Sequence, residues 1–303
     1  DPDDVKAAFR TMIEGLWCVS LEIMPAWYLI DNDRRITNDV GELQYSLAGT
    51  MQYLADQFAE ELGASVRLGE PAISVEHGYG GVRVLTGTAI YDADAVLVAV
   101  PPMTAGRIDY EPVLPLSLNK ALGAWRSGAV IKVLARYARP FWREQGFSGM
   151  VMWREPSGLF AFDCSKDSNH AQLALFIGGP LAVEWSGYGE QAIHDAARRK
   201  LVTALGPEAG NMLDMAIRDW TGDRWSGGAY SDVIVDLAAR DAESVVRTGV
   251  PPLFFASSEL SPSFPGYIEG AIVAGRRAAS AILSMLSQQN PMAHGRTRET
   301  GFD

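Results

Sequence analysis

Interleaved helical and strand periodicities place this chain in the α/β or α+β class. Three observations carry that expectation. Apolar residues recur at helical spacing in several segments. Period-two segments bounded by Gly and Pro lie between them. The run Ala95-Val96-Leu97-Val98-Ala99-Val100 is apolar throughout, as a strand buried on both sheet faces requires.

The first helix is expected from Val5 to about Met24, with Phe9, Met12, Ile13, Leu16 and Trp17 at helical spacing and Pro25 as its stop. The second spans Met51 to Leu62, with Met51, Leu54, Ala55, Phe58 and Leu62 on one face and Gly63 as the natural terminator. Strands follow at Ile73–Glu76, Val82–Leu85 and Ala95–Val100; His77-Gly78-Tyr79-Gly80-Gly81 turns between the first two, and Pro101-Pro102 stops the third. Further strands are expected at Ala129–Tyr137, Gln172–Ile177 and Leu253–Ala256. Helices are expected at Glu190–Leu205, with Gly206 after it, and from Tyr267 to about Met285, with Ala271, Ala274, Gly275, Ala278 and Ile282 inward. The polar tail from Ser287 to Asp303 is expected to be disordered.

The 303 residues carry a net charge of −11 with no basic patch, which disfavours nucleic acid and anionic membrane surfaces as partners and weakly favours a cationic substrate. Cys18 and Cys164 are far apart, and His77, His170, His194 and His294 have no ligand spacing, so neither a disulfide framework nor a metal site is expected. No apolar run reaches the roughly 18 residues a bilayer-spanning helix needs. The opening Asp1-Pro2-Asp3-Asp4 is not a signal peptide, and a reducing cytoplasm is the expected compartment. No GxGxxG follows a strand and opens a helix anywhere in the chain.

Five segments in order carry a resemblance. They are Leu47-Ala48-Gly49-Thr50-Met51 at a helix start, and Val98-Ala99-Val100-Pro101-Pro102 at a strand end. Val130-Ile131-Lys132-Val133 precedes Pro140-Phe141-Trp142, and Trp220 precedes Ser226-Gly227-Gly228-Ala229-Tyr230. Phe255-Ala256-Ser257-Ser258-Glu259 then runs on to Gly266-Tyr267-Ile268-Glu269-Gly270-Ala271. The ordered set resembles the flavin-containing monoamine oxidase family over roughly residues 40–285. The resemblance implies an FAD-binding domain of the glutathione-reductase and amine-oxidase type, incomplete in this chain, plus an α+β substrate domain with a mixed sheet. It implies substrate-domain parts at 1–45 and 119–221, FAD-domain parts at 46–118 and 222–290, and a tail at 291–303.

The resemblance also implies roles. Tyr230 and Tyr267 match an aromatic pair that stands perpendicular to the flavin; two ring faces form a slot for a flat or narrow amine, and their quadrupoles favour its amine end. The alternative is that each ring fills a core. Lys132 matches a lysine that holds a water near flavin N5, where a cation favours negative charge on the reduced ring. The alternative is an edge strand, because Lys132 and Arg136 share a face. Gly49, Ala72, Pro101, Trp220, Ser258, Glu259 and Ile268 match cofactor-binding positions. Ser258 and Glu259 approach the ribityl and diphosphate groups, and N–H groups near Ile268 point at the flavin pyrimidine carbonyl. For Glu259 the alternative is a surface carboxylate.

Departures from the family pattern are informative. Ala229 stands where some members carry a cysteine bonded to FAD, so no thioether forms and the FAD is expected to be non-covalent. Ser257 and Ala48 replace glycines, and Ala72 replaces a larger aliphatic residue, which bears on how tightly FAD is held. The expected reaction is oxidation of an amine to an imine, then an aldehyde or ketone, with dioxygen reduced to hydrogen peroxide. The alternatives are an amino-acid oxidase or desaturase of the same superfamily, for which no carboxylate-binding arginine is evident in sequence, and a non-catalytic subunit. Interior strands need neighbours on both sides. A second polypeptide carrying the GxGxxG segment is therefore the expected partner, as a separate subunit or a cleaved piece, with room for a higher oligomer.

Overall fold

The computed structural model describes residues 2–37, 47, 49–167 and 170–289. The expectations on Ala48 and on the tail beyond Gln289 lie outside the described residues. The chain begins with α1 (Pro2–Trp17), α2 (Ala26–Asp33) and α3 (Met51–Leu62). Four strands follow, β1 (Ala72–Gly78), β2 (Gly81–Thr86), β3 (Ile90–Ala93) and β4 (Val96–Val98). Then come α4 (Pro102–Ala105), β5 (Asp109–Glu111), α5 (Leu116–Gly123), β6 (Trp125–Ser127), β7 (Val130–Tyr137) and α6 (Phe141–Glu144). Next are β8 (Val151–Met152), β9 (Leu159–Asp163), β10 (Ala171–Gly178), α7 (Pro180–Ser186) and α8 (Glu190–Leu205). The chain closes with β11 (Asp214–Asp219), β12 (Asp232–Ile234), α9 (Ala242–Thr248), β13 (Leu253–Phe255) and α10 (Ile268–Gln289). Among the described residues, no helix is long and apolar enough to cross a membrane.

Contacts divide the chain into two compact units. One comprises Asp1–Leu29, Pro101–Thr104 and Gly123–Arg240; the other comprises Ile30–Val100, Ala105–Leu122 and Asp241–Asp303. Residues 222–240 group with the first unit because β12 pairs antiparallel with β6.

The first unit is built on an antiparallel sheet of order β11-β7-β10-β9-β8. Strict alternation in β7 and β10 sends Ile131, Val133, Ala135, Leu173, Leu175 and Ile177 to one face, where Leu181, Trp185, Ala197 and Leu201 of α7 and α8 complete a core. β7 lies between β11 and β10, so the edge-strand explanation of Lys132 does not hold. Three strands that sequence periodicity did not indicate, β8, β9 and β11, complete this sheet.

Helix α1 ends at Trp17, not near Met24. Cys18 takes φ +60°, and its carbonyl accepts from Ala129 N–H at 2.7 Å. The Glu14 carboxylate accepts from Leu21 N–H at 3.1 Å, which turns the chain back. Tertiary pairing thus overrides local helix preference. The buried residues of α1 are Thr11, Ile13, Glu14 and Gly15, whereas Phe9, Met12 and Leu16 are exposed. Glu14 also holds Ser157 Oγ at 2.6 Å and Arg10 at 3.1 Å, so a buried carboxylate is satisfied on several sides.

The second unit holds a sheet of order β3-β2-β1-β5 and a parallel pair, β13 with β4. The β1–β2 hairpin turns at Tyr79-Gly80, and β3, not anticipated, extends it. Gly81 has φ +111°, and a Cβ there would meet Ala93 O at 2.6 Å, so only glycine serves. Small residues of α10, Ala274 and Ala278, pack with Ala256 and Leu97, which lets the helix lie close to the parallel pair. Helix α3 matches the expected bounds, and Thr50 Oγ1 caps it by accepting from Tyr53 N–H at 3.2 Å. Its apolar face is open: Met51 is 48% exposed, Phe58 52% and Leu62 60%. Helix α10 begins at Ile268 and runs past Met285 to Gln289.

Candidate active site

In the first unit, cross-strand register sets out one face of the sheet in rows. Met152, Phe160, Phe176, Lys132 and Arg218 form one row; Phe162, Ala174, Leu134 and Ala216 form the next; Gln172, Arg136 and Asp214 form a third. Antiparallel partners share a face, so an apolar strip ends in two cations. Lys132 Nζ lies 5.1 Å from the Phe176 centroid and 4.9 Å from that of Tyr230, within cation–π range. Partial burial against these rings lowers the Lys132 pKa below the ordinary lysine value, since desolvation disfavours the charged form.

Tyr230 reaches this place through a loop with identifiable causes. The Asp223 carboxylate accepts from Ser226 N–H at 2.9 Å and from Trp225 N–H at 3.1 Å. Gly227 has φ +84° and Gly228 φ +145°, and a Cβ on Gly228 would sit 2.2 Å from Gly128 O, so the Gly-Gly pair is obligatory. Tyr230 is 40% exposed, while its hydroxyl lies 3.5 Å from Gly15 O and beside Cys18. Burial, and then the Cys18 thiol, raise the phenol pKa, so it stays protonated. Burial likewise pushes the Cys18 thiol up to about 12, which makes it inert as a nucleophile.

The end of α1 thus closes over this face. A Cβ on Gly178 would lie 2.6 Å from Glu14 O, and one on Gly15 would lie 2.8 Å from Phe160 Cδ1. Trp220 sits at the same end, donating its backbone N–H to Val130 O at 3.0 Å, with the Arg218 guanidinium 4.6 Å from its ring. Lys132 and Tyr230 therefore lie together, and Trp220 is bonded to the first residue of the strand that carries Lys132. Pro101 also belongs to this unit. Sequence reading missed Phe160, Phe162, Phe176, Gly15, Cys18 and Arg218. The signal for the rings was the alternation Phe160-Ala161-Phe162.

The second unit holds Gly49, Ala72, Ser258, Glu259, Tyr267 and Ile268. Gly49 stands one residue before the α3 cap Thr50, and Ala72 opens β1. At the end of β13, Ser258 Oγ donates to Glu259 Oε2 at 3.0 Å. Glu259 is buried, which removes the surface-carboxylate alternative. The neighbouring Ser257 Oγ is buried with no hydrogen-bond partner among the described residues. Tyr267 and Ile268 stand at the exposed start of α10, a helix of 22 residues. The approach is fixed by Gly270, where a Cβ would lie 2.1 Å from Phe264 O. An orphaned hydroxyl, a buried carboxylate and a long helix's positive end fit a ligand rich in hydroxyls and phosphates, as FAD is.

A family model for flavin-containing amine oxidoreductases matches residues 9–283. The chain is 31% identical over 253 residues to an L-amino acid dehydrogenase of Synechocystis, covering 82% of this chain and 52% of that protein. It is 27% identical over 270 residues to the flavin-containing amine oxidase B of Mus musculus, covering 86% of this chain and 52% of that protein. Among solved structures, the cyclohexylamine oxidase of Brevibacterium oxydans superposes with a TM-score of 0.85 at 27% identity, covering 93% of this chain and 65% of that one. This chain belongs to the flavin-containing amine oxidoreductases. Its cofactor is FAD, and with Ala229 offering no thiol the FAD is non-covalent. The chain spans about half the length of the curated relatives it matches.

Proposed function

We propose that the protein oxidises an amine to an imine, which hydrolyses to an aldehyde or ketone. The observation that carries this reading is the Lys132–Tyr230 pair on an apolar sheet face, with Lys132 Nζ 4.9 Å from the ring centroid. We assign the first unit to substrate and the second to FAD. Ser257, Ser258, Glu259 and the start of α10 at Ile268 would hold the cofactor, with Gly49 and Ala72 of the same unit; Pro101 and Trp220, which the family resemblance also links to the cofactor, belong to the first unit. When bound, FAD would supply the two-electron acceptor for the hydride equivalent lost from the amine α-carbon, with dioxygen as the final oxidant giving hydrogen peroxide.

The chain's own residues bind and desolvate. Tyr230 is assigned as a ring that orients the amine; Tyr267, which the family resemblance gives the same role, belongs to the second unit. The open face of Tyr230 attracts its amine end, and its buried hydroxyl keeps the ring fixed. Lys132 supplies a cation that favours negative charge on the reduced ring, and its lowered pKa leaves it able to give up a proton.

A second reading is oxidation of an amino acid. Arg218 lies opposite Lys132 on the same face and is a candidate for a carboxylate. Its guanidinium is already stacked on Trp220 and 3.4 Å from Asp223, which favours the amine reading. Peroxide production with n-pentylamine and with L-norleucine, which differ only in the carboxylate, separates the two. Turnover of n-pentylamine alone supports the amine reading; turnover of L-norleucine alone overturns it.

We also assign a covering segment to the second unit. β13 pairs only with β4 among the described residues, and the apolar face of α3 is open. An unpaired interior edge and an exposed apolar helix face both call for a partner. A strand–GxGxxG–helix segment, which would also supply the diphosphate contacts, suits both. A structure of the FAD-bearing protein should show such a segment beside β13 and over the apolar face of α3; β13 and α3 left uncovered there would contradict the assignment.

A further inference from the structure

Residues 257–267 of the second unit run from Ser258 and Glu259 to the start of α10 at Ile268, so the two places assigned to the cofactor are the two ends of one loop. Arg35, which follows α2 and belongs to the same unit, holds that loop at its middle. Its Nη1 donates to Ser261 O at 2.9 Å and to Glu243 Oε1 of α9 at 2.7 Å, and its Nε donates to Asp31 O at 3.1 Å. Ser261 is fully buried, so its carbonyl needs a partner, and Arg35 supplies one. Further along, Phe264 N–H donates to Arg35 O at 3.2 Å. Arg35 thus grips the loop twice, once by side chain and once by backbone.

Phe264 needs that grip. Its φ is +50°, a left-handed conformation that a bulky residue keeps only where its surroundings fix it. Its carbonyl accepts from Tyr267 N–H at 3.1 Å, immediately before α10. Ser261 Oγ donates to Ser263 O at 2.6 Å and ties the stretch between. Arg35 is itself fixed, because its side chain is 20% exposed and that of its partner Glu243 15%. Arg247 is a second cation at Glu243, 3.2 Å away, and its hydrogen bond goes to that carboxylate and not to the loop.

We propose that Arg35 is a positioning residue for the cofactor. It acts through Ser261 and Phe264 and fixes the separation between the Glu259 carboxylate and the N–H groups that open α10. The inference rests on the reading that this loop holds FAD. Loss of the Arg35 side chain leaves Ser261 O unpaired and frees the two ends of the loop to shift, while Glu243 keeps Arg247.

The test uses FAD-loaded holoenzyme at a temperature where urea titration shows each variant folded. It follows the rate of FAD release, seen as free-flavin fluorescence after dilution, and the visible circular dichroism of the bound flavin. Arg35→Met should release FAD about tenfold faster, the worth of one hydrogen bond to a charged group, with an altered dichroism. Arg247→Met removes the other guanidinium from the same carboxylate and should leave release within about twofold of the wild type and the dichroism unchanged, as an independent site does. Equal changes in the two variants mean a general loss of stability and overturn the proposal, as does an Arg35→Met holoenzyme with wild-type release and dichroism. If Arg35→Met does not fold, Glu243→Gln carries the test. It weakens the charge-assisted hold on Nη1 and should speed release about threefold; wild-type release overturns the proposal. Glu259→Gln separates the underlying reading. Wild-type release in Glu259→Gln overturns the assignment of FAD to this loop and the proposal with it. Faster release in Glu259→Gln with wild-type release in Arg35→Met overturns the proposal alone.

Discussion

Gly178→Ala tests how the end of α1 is held over the amine-facing sheet. The added methyl carbon would lie 2.6 Å from Glu14 O, 2.9 Å from Gly15 Cα and 3.0 Å from Gly15 O. All three are backbone atoms, so no side-chain rotation relieves the contact. Reaching an ordinary 3.4 Å requires α1 or β10 to move about 0.8 Å, the difference between 3.4 and 2.6 Å. Overpacking of this kind costs about 1–3 kcal/mol. The reduced freedom of the unfolded alanine chain returns about 0.4–1 kcal/mol. The expected net loss is about 1–2 kcal/mol, or a factor of roughly 5–30 in the folded-to-unfolded ratio. The same movement displaces Gly15 O from the Tyr230 hydroxyl, 3.5 Å away, so amine KM should rise as well. Urea unfolding followed by tryptophan fluorescence is the assay, because the buried Trp125, Trp142 and Trp185 all lie in this unit. The midpoint should fall with the slope unchanged. Gly123→Ala is the control: nothing lies within 4 Å of its methyl, so its midpoint should equal or exceed the wild type. If both variants unfold at the same midpoint, the close approach of α1 and β10 is not what holds this end.

Lys132→Met should slow flavin reoxidation by about an order of magnitude or more while leaving reduction by amine nearly intact, as expected when an interaction made in one half-reaction is lost. In the wild type, reoxidation should weaken as pH rises through the lowered Lys132 pKa, because the cation is lost there; stopped-flow mixing with oxygen resolves both effects, and equal slowing of both half-reactions would count against the assignment. Tyr230→Leu and Tyr267→Leu should each reduce amine turnover with FAD retained, and loss of fold or flavin in either would show that the ring fills a core. Acid precipitation should release yellow cofactor into the supernatant; flavin remaining with the pellet would disprove non-covalent binding.

The bounds of α3 and α8 were legible because each is a helical repeat closed by glycine, at Gly63 and Gly206. Lys132, Tyr230, Ser258 and Glu259 were singled out by motif order alone. The missing strands were hidden by their environments. β9 carries Leu159 and Ala161 into the core and Phe160 and Phe162 to the other face, so it has apolar residues on both sides and no polar alternation. β11 reads as a polar loop because its Asp214 and Arg218 face outward in ion pairs. The end of α1 was set by a bond from Ala129, more than a hundred residues away, which no local pattern encodes. Arg218 escaped notice because its neighbour Lys132 is adjacent only through cross-strand register.

The most direct test of amine oxidation is an anaerobic spectrum of natively purified, FAD-bearing protein before and after excess n-pentylamine is added. The account predicts that the visible flavin absorbance bleaches, then returns when air is admitted, with hydrogen peroxide formed in equal amount. A bound flavin whose spectrum is unchanged by this amine and by arylalkyl amines alike would contradict it.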